Sequence, residues 1–252
     1  MKSQAKPAAT QRVYSAKGDE LASRTPVMVV RYRGITRFNH WITAACMIAL
    51  LLSGAAFFHP SLFWLSKLFG GGQMTRWIHP WIGVLLFFSF LGLFLQMWHL
   101  NLPRREDLQW SLQIGDVLQG KEENLPELGK YNAGQKGVFW GMSGLILLLI
   151  VTGIMIWEQY FPFLIPIPLR RIAVVAHAAA ALGCFFIFVA HVYAAIWTRG
   201  TIPAMTRGTV TGGWAFRHHR KWLRELAKRP HGTAPEPLSE PLPKSPPAPP
   251  PQ

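Results

Sequence analysis

The sequence predicts an all-α membrane protein, a bundle of four transmembrane helices, and three observations support this fold class. Half of the 252 residues are hydrophobic, although the chain has 26 lysines and arginines and only 12 acidic residues. Four stretches lack Asp, Glu, Lys and Arg and are long enough to cross about 30 Å of hydrocarbon, which takes roughly 20 helical residues. Most basic residues lie outside these stretches, as is typical of a membrane protein with basic ends.

One helix is expected from each apolar stretch, and Pro60 and Pro103 end the first two because proline stops a helix. The predicted helices cover about residues 38–58, 77–99, 137–157 and 172–198. They belong to one membrane domain, residues 37–228. Residues 1–36 precede it as an N-terminal tail without an apolar core of signal-peptide length. Residues 229–252 are rich in proline and are expected to be disordered.

Basic residues are unevenly distributed among the segments outside the predicted helices. Eight precede the first helix, two lie between the first and second, five between the second and third, two between the third and fourth, and nine follow the fourth. Positive residues accumulate on the cytoplasmic side of membrane proteins, so both termini and the central loop are predicted to be cytoplasmic. The charge therefore reflects topology, and we expect no binding to nucleic acid.

The two cysteines, Cys46 and Cys184, both lie inside predicted helices. Covalent c-type haem requires a CxxCH motif, and iron–sulfur clusters require several thiolates. Neither group is expected in this chain.

Histidines are concentrated at the predicted helices. Ionisable side chains at membrane depth are rare and mark candidate functional sites. His177 and His191 are fourteen residues apart, so they lie on nearly the same helix face, about 40° apart, and about 21 Å apart along the axis. Because the fourth helix runs inward, His177 belongs to the outer leaflet and His191 to the inner one. The histidines in or beside the helices are His40, His59, His79, His99, His177 and His191.

Two pairs of histidines at matching depth follow from this orientation. His40 begins the first helix on the inner side, level with His191. His79 begins the second helix on the outer side, level with His177. Two imidazoles on opposite sides of one iron are the usual ligands of a six-coordinate b-type haem, so two stacked haems are predicted. A single histidine at an interface more often forms hydrogen bonds, and His59 is also outer, so geometry alone leaves His59 and His79 as rivals.

Glycines and arginines near these histidines have two explanations each. Glycine lets a flat macrocycle approach the backbone, and it also lets helices pack closely. Arginines here can pair with haem propionates or with lipid phosphates. The residues concerned are Gly54, Gly83, Gly153, Gly183, Arg37, Arg76, Arg170 and Arg171.

The central loop is charged, with an amphipathic helix predicted around residues 108–118. It ends in "KYNAGQK", residues 130–136, a turn of small residues before the third helix. Asn132, Gly134 and Gln135 offer hydrogen bonds at the inner surface, and a quinone headgroup needs donors for its two carbonyl oxygens. A quinone site is therefore a candidate here, although helix capping and turn formation explain the same residues.

The chain resembles the cytochrome b556 (gamma) subunits of respiratory membrane-bound formate dehydrogenases. The resemblance covers about residues 31–225, and "GKYNAGQK" and the two histidines of the fourth helix are its most specific parts. Related cytochromes of thiosulfate reductases and hydrogenases are less similar around the loop. The matching motifs are "RFNHW", "LSG", "FGGGQMTRWIHPWIG", "NLPRREDLQW", "GKYNAGQK", "VTGIMIW", "AHAAA" and "AHVYAAIWTRG".

The resemblance implies a four-helix cytochrome with two b-type haems in a bacterial inner membrane. It implies that His79 and His177 hold the outer haem iron. It likewise implies that His40 and His191 hold the inner one. His59 does not match the family pattern, which argues against it as a ligand.

The resemblance also implies partners. Electrons would arrive from an iron–sulfur (beta) subunit on the outer side, fed by a molybdenum or tungsten (alpha) subunit that oxidises formate. They would leave to menaquinone or ubiquinone at the inner surface, with uptake of cytoplasmic protons. The sequence leaves open which quinone is used and whether the complex forms a homotrimer. The residues implied at the quinone are Asn132, Gly134, Gln135 and His191.

Two alternatives remain at the level of the sequence. In the first, the chain binds the same haems but receives electrons from a hydrogenase, a thiosulfate reductase or another molybdoenzyme. Neighbouring genes would distinguish these electron donors. The second is a haem-free membrane anchor or transporter with the histidines in a proton path. It is disfavoured because no predicted helix carries a buried Asp, Glu or Lys, which proton-coupled carriers tend to use.

Overall fold

The structure, a computed structural model, describes most of the chain between residues 27 and 228. The predicted disordered tail, residues 229–252, lies outside the described residues, as does most of the predicted N-terminal tail. The described residues are 13–14, 20–21, 27–119, 121, 125–163 and 165–228.

Long helices account for most of the described residues. They are α1 (Gly34–Phe58), α2 (Gly72–Met97), α5 (Ala133–Ile156) and α6 (Ile167–Trp197). All four are long and apolar enough to cross a membrane. α1 packs on α2 and α5 packs on α6, and contacts of α2 with α5 and of α1 with α6 join these two hairpins. The predicted helical fold class is confirmed.

Each long helix begins four or five residues before the apolar stretch that predicted it. The added turns contain basic side chains, whose apolar stems can lie along the bundle while their charges extend to the membrane surface. A charge in the first turns therefore does not end these helices. The basic residues are Arg37, Arg76, Lys136, Arg170 and Arg171.

The segment between α1 and α2 is a 3₁₀ helix, Pro60–Phe69, rather than an irregular loop. It ends at Gly70 and Gly71, whose φ angles of 85° and 95° favour glycine because other residues meet a steric penalty there. Thr75 then anchors the start of α2, since its buried hydroxyl contacts the carbonyl oxygen of Gly71 at 2.8 Å.

An apolar core fills the middle of the bundle. All four long helices contribute to it, and on α6 the buried Cys184 lies midway between His177 and His191. The core therefore separates the two histidine levels with apolar atoms. Its buried members are Cys46, Met47, Leu86, Ile146 and Cys184.

The segments just before α1 and just after α6 meet in a small layer beside the bundle, here called the terminal layer. Strand β3 (Met28–Val30) pairs antiparallel with β4 (Thr209–Thr211), with Val29 opposite Val210. Buried Ala204, Val210, Ala215 and Trp222 form its apolar core. Its helices are α7 (Thr201–Thr206), α8 (Gly212–His218) and α9 (Arg220–Ala227). A separate pair of short strands, β1 (Val13–Tyr14) and β2 (Glu20–Leu21), precedes it along the chain.

The central loop contains two short helices, α3 (Arg105–Leu112) and α4 (Ile114–Leu118), where one amphipathic helix was predicted. A largely buried ion pair attaches α3 to α5, with Lys136 Nζ 2.6 Å from Asp107 Oδ2. The same ammonium donates to the carbonyl oxygen of Leu102 at 3.1 Å. Because burial makes an unpaired charge costly, this pair holds the loop against the start of α5.

Candidate functional site

The outer pair of histidines comes together between the two helical hairpins. The ring centres of His79, on α2, and His177, on α6, are 6.4 Å apart, with 63° between the ring planes. Both rings are partly buried. Helix α2 contributes its histidine from its second turn and α6 from its third, so the two side chains meet at one level of the bundle.

The inner pair comes together in the same way, near the opposite ends of the helices. The ring centres of His40, on α1, and His191, on α6, are 6.2 Å apart, with 53° between the planes. Trp41 packs edge-on against His40, with ring centres 5.7 Å apart. α6 therefore carries one member of each pair, as the fourteen-residue spacing predicts.

Both separations suit two imidazoles that share one iron. An imidazole nitrogen binds a first-row metal at about 2.0–2.1 Å and lies roughly 1.1 Å from its ring centre, so two rings on opposite sides of one iron have centres about 6 Å apart. The observed distances are 6.4 and 6.2 Å. The rings are too far apart to stack on each other, and their spacing fits a bis-histidine haem at each level.

Two hydroxyl groups determine which nitrogen of each outer histidine is protonated. Ser53 Oγ lies 2.7 Å from the carbonyl oxygen of Ala49 and 2.7 Å from His79 Nδ1. A serine hydroxyl has one hydrogen, which the carbonyl oxygen takes, so Nδ1–H of His79 must donate to Ser53 Oγ. Nε2 of His79 then keeps its lone pair, and this nitrogen is the one available for iron.

Thr152 repeats this arrangement for the other outer histidine. Its hydroxyl donates to the carbonyl oxygen of Leu148 at 2.7 Å and lies 2.9 Å from His177 Nδ1. Nε2 of His177 is therefore also left unprotonated. Sequence reasoning missed Ser53 and Thr152, although both occur in motifs of the resemblance, "LSG" and "VTGIMIW".

The inner histidines have no such partners among the described residues. His40 Nδ1 is buried and lacks a hydrogen-bond partner. Nothing in the described part of the chain hydrogen-bonds to the ring of His191 either. Protein groups thus orient the outer pair and leave the tautomers of the inner pair unfixed.

The four glycines of the sequence analysis have different surroundings. A Cβ at Gly54 would lie 3.6 Å from His79 Cε1, and one at Gly153 would lie 3.5 Å from His177 Cε1. A methyl group at either position would be in ordinary van der Waals contact with the ring, so these two glycines lie directly against the outer histidines. A Cβ at Gly183 would lie 3.1 Å from Leu145, so that glycine serves helix packing, and one at Gly83 would meet open space.

His59 and His99 lie away from both pairs. His59 caps the 3₁₀ helix, where its Nδ1 accepts from the backbone N–H of Ser61 at 3.2 Å. His99 is exposed and packs edge-on against Trp98. Of His59 and His79, the two outer candidates from the sequence, only His79 lies opposite His177.

Two of the candidate arginines for propionates bind protein groups. Arg170 donates to Glu158 Oε1 at 2.7 Å and to the carbonyl oxygen of Pro162 at 3.1 Å. Arg37 donates to the carbonyl oxygen of Thr206, in the terminal layer. Arg170 therefore connects α6 to the loop before it, and Arg37 connects α1 to the end of α7. Arg76 and Arg171 are exposed.

The predicted quinone turn forms the N-terminal cap of α5. Asn132 Oδ1 accepts from the backbone N–H of Gln135 at 2.8 Å, and Gln135 Oε1 accepts from the backbone N–H of Asn132 at 3.1 Å. This reciprocal cap uses the side-chain oxygens and leaves the two amide NH₂ groups for other acceptors. Exposed Gly134 lies against Trp110, because a Cβ there would come within 3.3 Å of that ring. No hydrogen bond or ring contact joins His191 to this turn within the described residues.

A buried arginine holds the loop that leads into this turn. Arg31 Nη2 donates to the carbonyl oxygen of Lys130 at 2.6 Å and to His219 Nε2 at 3.3 Å. His219 Nδ1 in turn donates to the carbonyl oxygen of Gly129 at 2.7 Å. Burial, and then the positive charge of Arg31, lower the pKa of His219 to about 3. Aromatic rings surround the guanidinium, namely Tyr32, Tyr131, Trp214 and Trp222.

Residues 31–208 match the profile of the family described as prokaryotic cytochrome b561. The matched range includes both histidine pairs and the turn before α5.

Several relatives match over most of their length. The cytochrome b556(fdo) subunit of formate dehydrogenase from Escherichia coli K12 is 42% identical over 200 residues, which are 79% of this chain and 94% of the relative. The nitrate-inducible cytochrome b556(Fdn) subunit of the same strain is 40% identical over 201 residues, 80% of this chain and 93% of the relative. The formate dehydrogenase cytochrome b556 subunit of Haemophilus influenzae is 40% identical over 197 residues, 78% and 83%. The resemblance noted in the motifs is confirmed.

Proposed function

Because the chain belongs to the prokaryotic cytochrome b561 family, we propose that it is the membrane cytochrome subunit of a respiratory formate dehydrogenase. In this role it carries electrons through two b-type haems to a quinone. The family and the four apolar helices make it a multi-pass membrane protein that binds b-type haem. The relatives that match over most of their length bear the name of this subunit.

The observation that carries the proposal is the arrangement of two histidine pairs at two depths. Ring centres are 6.4 Å apart in the outer pair and 6.2 Å apart in the inner pair. We assign His79 and His177 as ligands of the outer haem iron and His40 and His191 as ligands of the inner one. When bound, a b-type haem with two histidine ligands takes up and releases one electron at its iron.

The side chains around these ligands support electron transfer without proton transfer. Ser53 and Thr152 hold Nδ1–H of the outer histidines, so their Nε2 atoms stay unprotonated. The apolar core between the two levels contains Met47, Leu86 and Ile146, which exclude water from the middle of the bundle. Electrons can tunnel across such a layer, and a proton would be costly there.

We propose that quinone binds at the inner end of the bundle, near Asn132, Gly134, Gln135 and His191. The amide NH₂ groups of Asn132 and Gln135 are the donors for a quinone carbonyl oxygen, because their oxygens are used in the helix cap. Reduction of a quinone to a quinol takes two electrons and two protons. The position of this turn at the basic end of the bundle supports proton uptake from the cytoplasm.

The proposed partners follow from the same assignment. An iron–sulfur subunit on the outer side supplies electrons, and a molybdenum or tungsten subunit oxidises formate there. The chain lies in a bacterial inner membrane with both termini in the cytoplasm, which the excess of basic residues at the termini and in the central loop supports. The chain itself does not bind formate.

The test is a reduced-minus-oxidised absorption spectrum of the purified protein, with haem quantified per chain. We expect two b-type haems in the wild type, and one each in His79→Ala and His191→Ala, since each variant removes one ligand of one iron. His59→Gln and His99→Gln are matched controls that should retain two. Spectra without b-type bands, or unchanged haem content in His79→Ala, would contradict the proposal.

A further inference from the structure

The two histidine pairs differ in how the protein holds their Nδ1 atoms. Both outer rings donate to a hydroxyl oxygen, at 2.7 Å for His79 and at 2.9 Å for His177. The inner His40 has a buried Nδ1 without a partner, and in the described part of the chain no group hydrogen-bonds to the ring of His191. The asymmetry is complete, with two hydroxyl partners on one side of the membrane and none on the other.

The two hydroxyl groups beside the outer histidines are buried inside the bundle. Ser53 is fully buried and Thr152 nearly so, at 0% and 4% exposed. Each precedes a glycine that lies against the same ring, Gly54 against His79 and Gly153 against His177. The dipeptides Ser-Gly on α1 and Thr-Gly on α5 thus contact a histidine of the following helix in the same way.

A hydrogen bond from Nδ1 changes how strongly the other nitrogen donates electrons. When Nδ1–H donates to an oxygen, the ring becomes more basic at Nε2. A more basic ligand stabilises ferric iron over ferrous iron, and so lowers the reduction potential of the haem. Two such bonds act together on the outer iron, and the inner iron receives neither.

From this asymmetry we infer that Ser53 and Thr152 are positioning residues that set the outer haem at a lower reduction potential than the inner haem. The inference rests on the proposed function, because it requires one haem at each histidine pair. The electron step balances without other reactants: the outer iron passes from ferrous to ferric and the inner iron from ferric to ferrous. No proton moves, because the Nδ1–H of each outer ring remains on its nitrogen. Inward transfer is then downhill before any quinone is reduced.

Redox titration of the purified holoprotein, followed by absorbance and by electron paramagnetic resonance of the ferric haems, tests this inference. His79→Ala first identifies the outer haem, and the component that it removes should be the one of lower potential. Ser53→Ala and Thr152→Val should then raise the potential of the outer haem alone. We expect each to change the equilibrium constant for electron transfer between the haems about three- to tenfold, where tenfold corresponds to about 59 mV for one electron.

Matched variants separate tuning from general disturbance of the bundle. Thr152→Ser keeps the hydroxyl and should keep the wild-type potential and resonance signature, which provides a readout even if Ser53→Ala loses haem. Ser143→Ala removes a hydroxyl that likewise donates to a carbonyl oxygen one turn back, at 2.7 Å, and that forms no hydrogen bond with a histidine in the described part of the chain. It should leave both potentials unchanged.

The possible outcomes distinguish this inference from the function on which it rests. If two haems bind but Ser53→Ala and Thr152→Val retain wild-type potentials, the inference is wrong and the proposed function stands. The inference is equally wrong if His79→Ala removes the haem of higher potential. A wild-type protein that binds no haem would instead contradict the proposed function itself.

Discussion

Asn132 caps a helix and is also proposed to bind quinone. Its oxygen caps α5 by accepting from the backbone N–H of Gln135, and its NH₂ group has no partner among the described residues. Capping was the simpler explanation of this residue from the sequence, and the structure contains that cap. The cap also fixes the amide, so the NH₂ group has a defined direction in which to meet a quinone oxygen.

We therefore predict that the two tasks can be separated by substitution. Asn132→Ser keeps a capping oxygen and loses the NH₂ group, so its thermal stability should stay near wild type. Reoxidation of its reduced haem by added quinone should slow about tenfold, the effect of losing one hydrogen bond of about 1.4 kcal/mol. Stopped-flow absorbance measures this rate. Asn132→Ala should lose both properties, and wild-type reoxidation in Asn132→Ser would remove Asn132 from the quinone site.

The histidine pairs could be predicted from the sequence, and their hydroxyl partners could not. Depth and helix direction matched His40 with His191. They left both His59 and His79 as partners for His177, and only the resemblance favoured His79. Ser53 and His79 are 26 residues apart, on different helices, and Thr152 and His177 are 25 apart. Only the packing of each hairpin reveals these contacts. A repeated Ser-Gly or Thr-Gly pair, each followed by a histidine about 25 residues later, is the signal that a sequence search could use.

The terminal layer shows why short elements escape prediction from sequence. β3 and β4 have three residues each and are separated by almost the whole membrane domain, so neither produces a recognisable alternation. The four long helices were predictable because apolar length alone identifies them. Their starts were set too late, since the first turns contain charges such as Arg37 and Lys136.

Arg31 and His219 connect β3, α9 and the loop before α5, and this connection should depend on pH. His219 is neutral in the folded protein because its pKa is about 3, below the ordinary value of 6.5. Above pH 6.5 the His219 ring is neutral in both the folded and the unfolded protein, so the free energy of unfolding does not change with its titration. As the pH falls below 6.5, His219 binds a proton in the unfolded protein but stays neutral in the folded protein. Stability therefore decreases until about pH 3.

We predict a loss of about 2 kcal/mol between pH 6.5 and about pH 5 from this residue, measured through the thermal midpoint of the detergent-solubilised protein. His219→Gln can still donate to Gly129 and accept from Arg31, yet it does not titrate. Its midpoint should therefore fall less over the same range. Identical curves for wild type and His219→Gln would refute this account.

The molecule as a whole is asymmetric in charge across the membrane. Basic residues are concentrated at the ends of the chain and in the central loop, and the opposite side has few. The terminal layer and α3 lie at the basic end, as does the proposed quinone site. The 3₁₀ helix after α1 lies at the other end, near the outer histidine pair.

This orientation predicts a pattern of cysteine labelling in the native membrane. Native Cys46 and Cys184 are buried, so the wild type should not react with a membrane-impermeant thiol reagent. Ser61→Cys, on the exposed 3₁₀ helix, should react in right-side-out vesicles. Ser111→Cys, on exposed α3, should react only in inside-out vesicles. The reverse pattern would show that the termini are not cytoplasmic.

The hydroxyl groups beside the outer histidines have one more consequence, for insulation. Each hydroxyl hydrogen of Ser53 and Thr152 is committed to a carbonyl oxygen of its own helix, so neither group can relay a proton along a chain of hydrogen bonds. Below them lies an apolar layer. Under the proposed function, such a bundle would conduct electrons inward and resist the passage of protons. The transmembrane voltage built up by electron transfer would then not be lost through the protein itself.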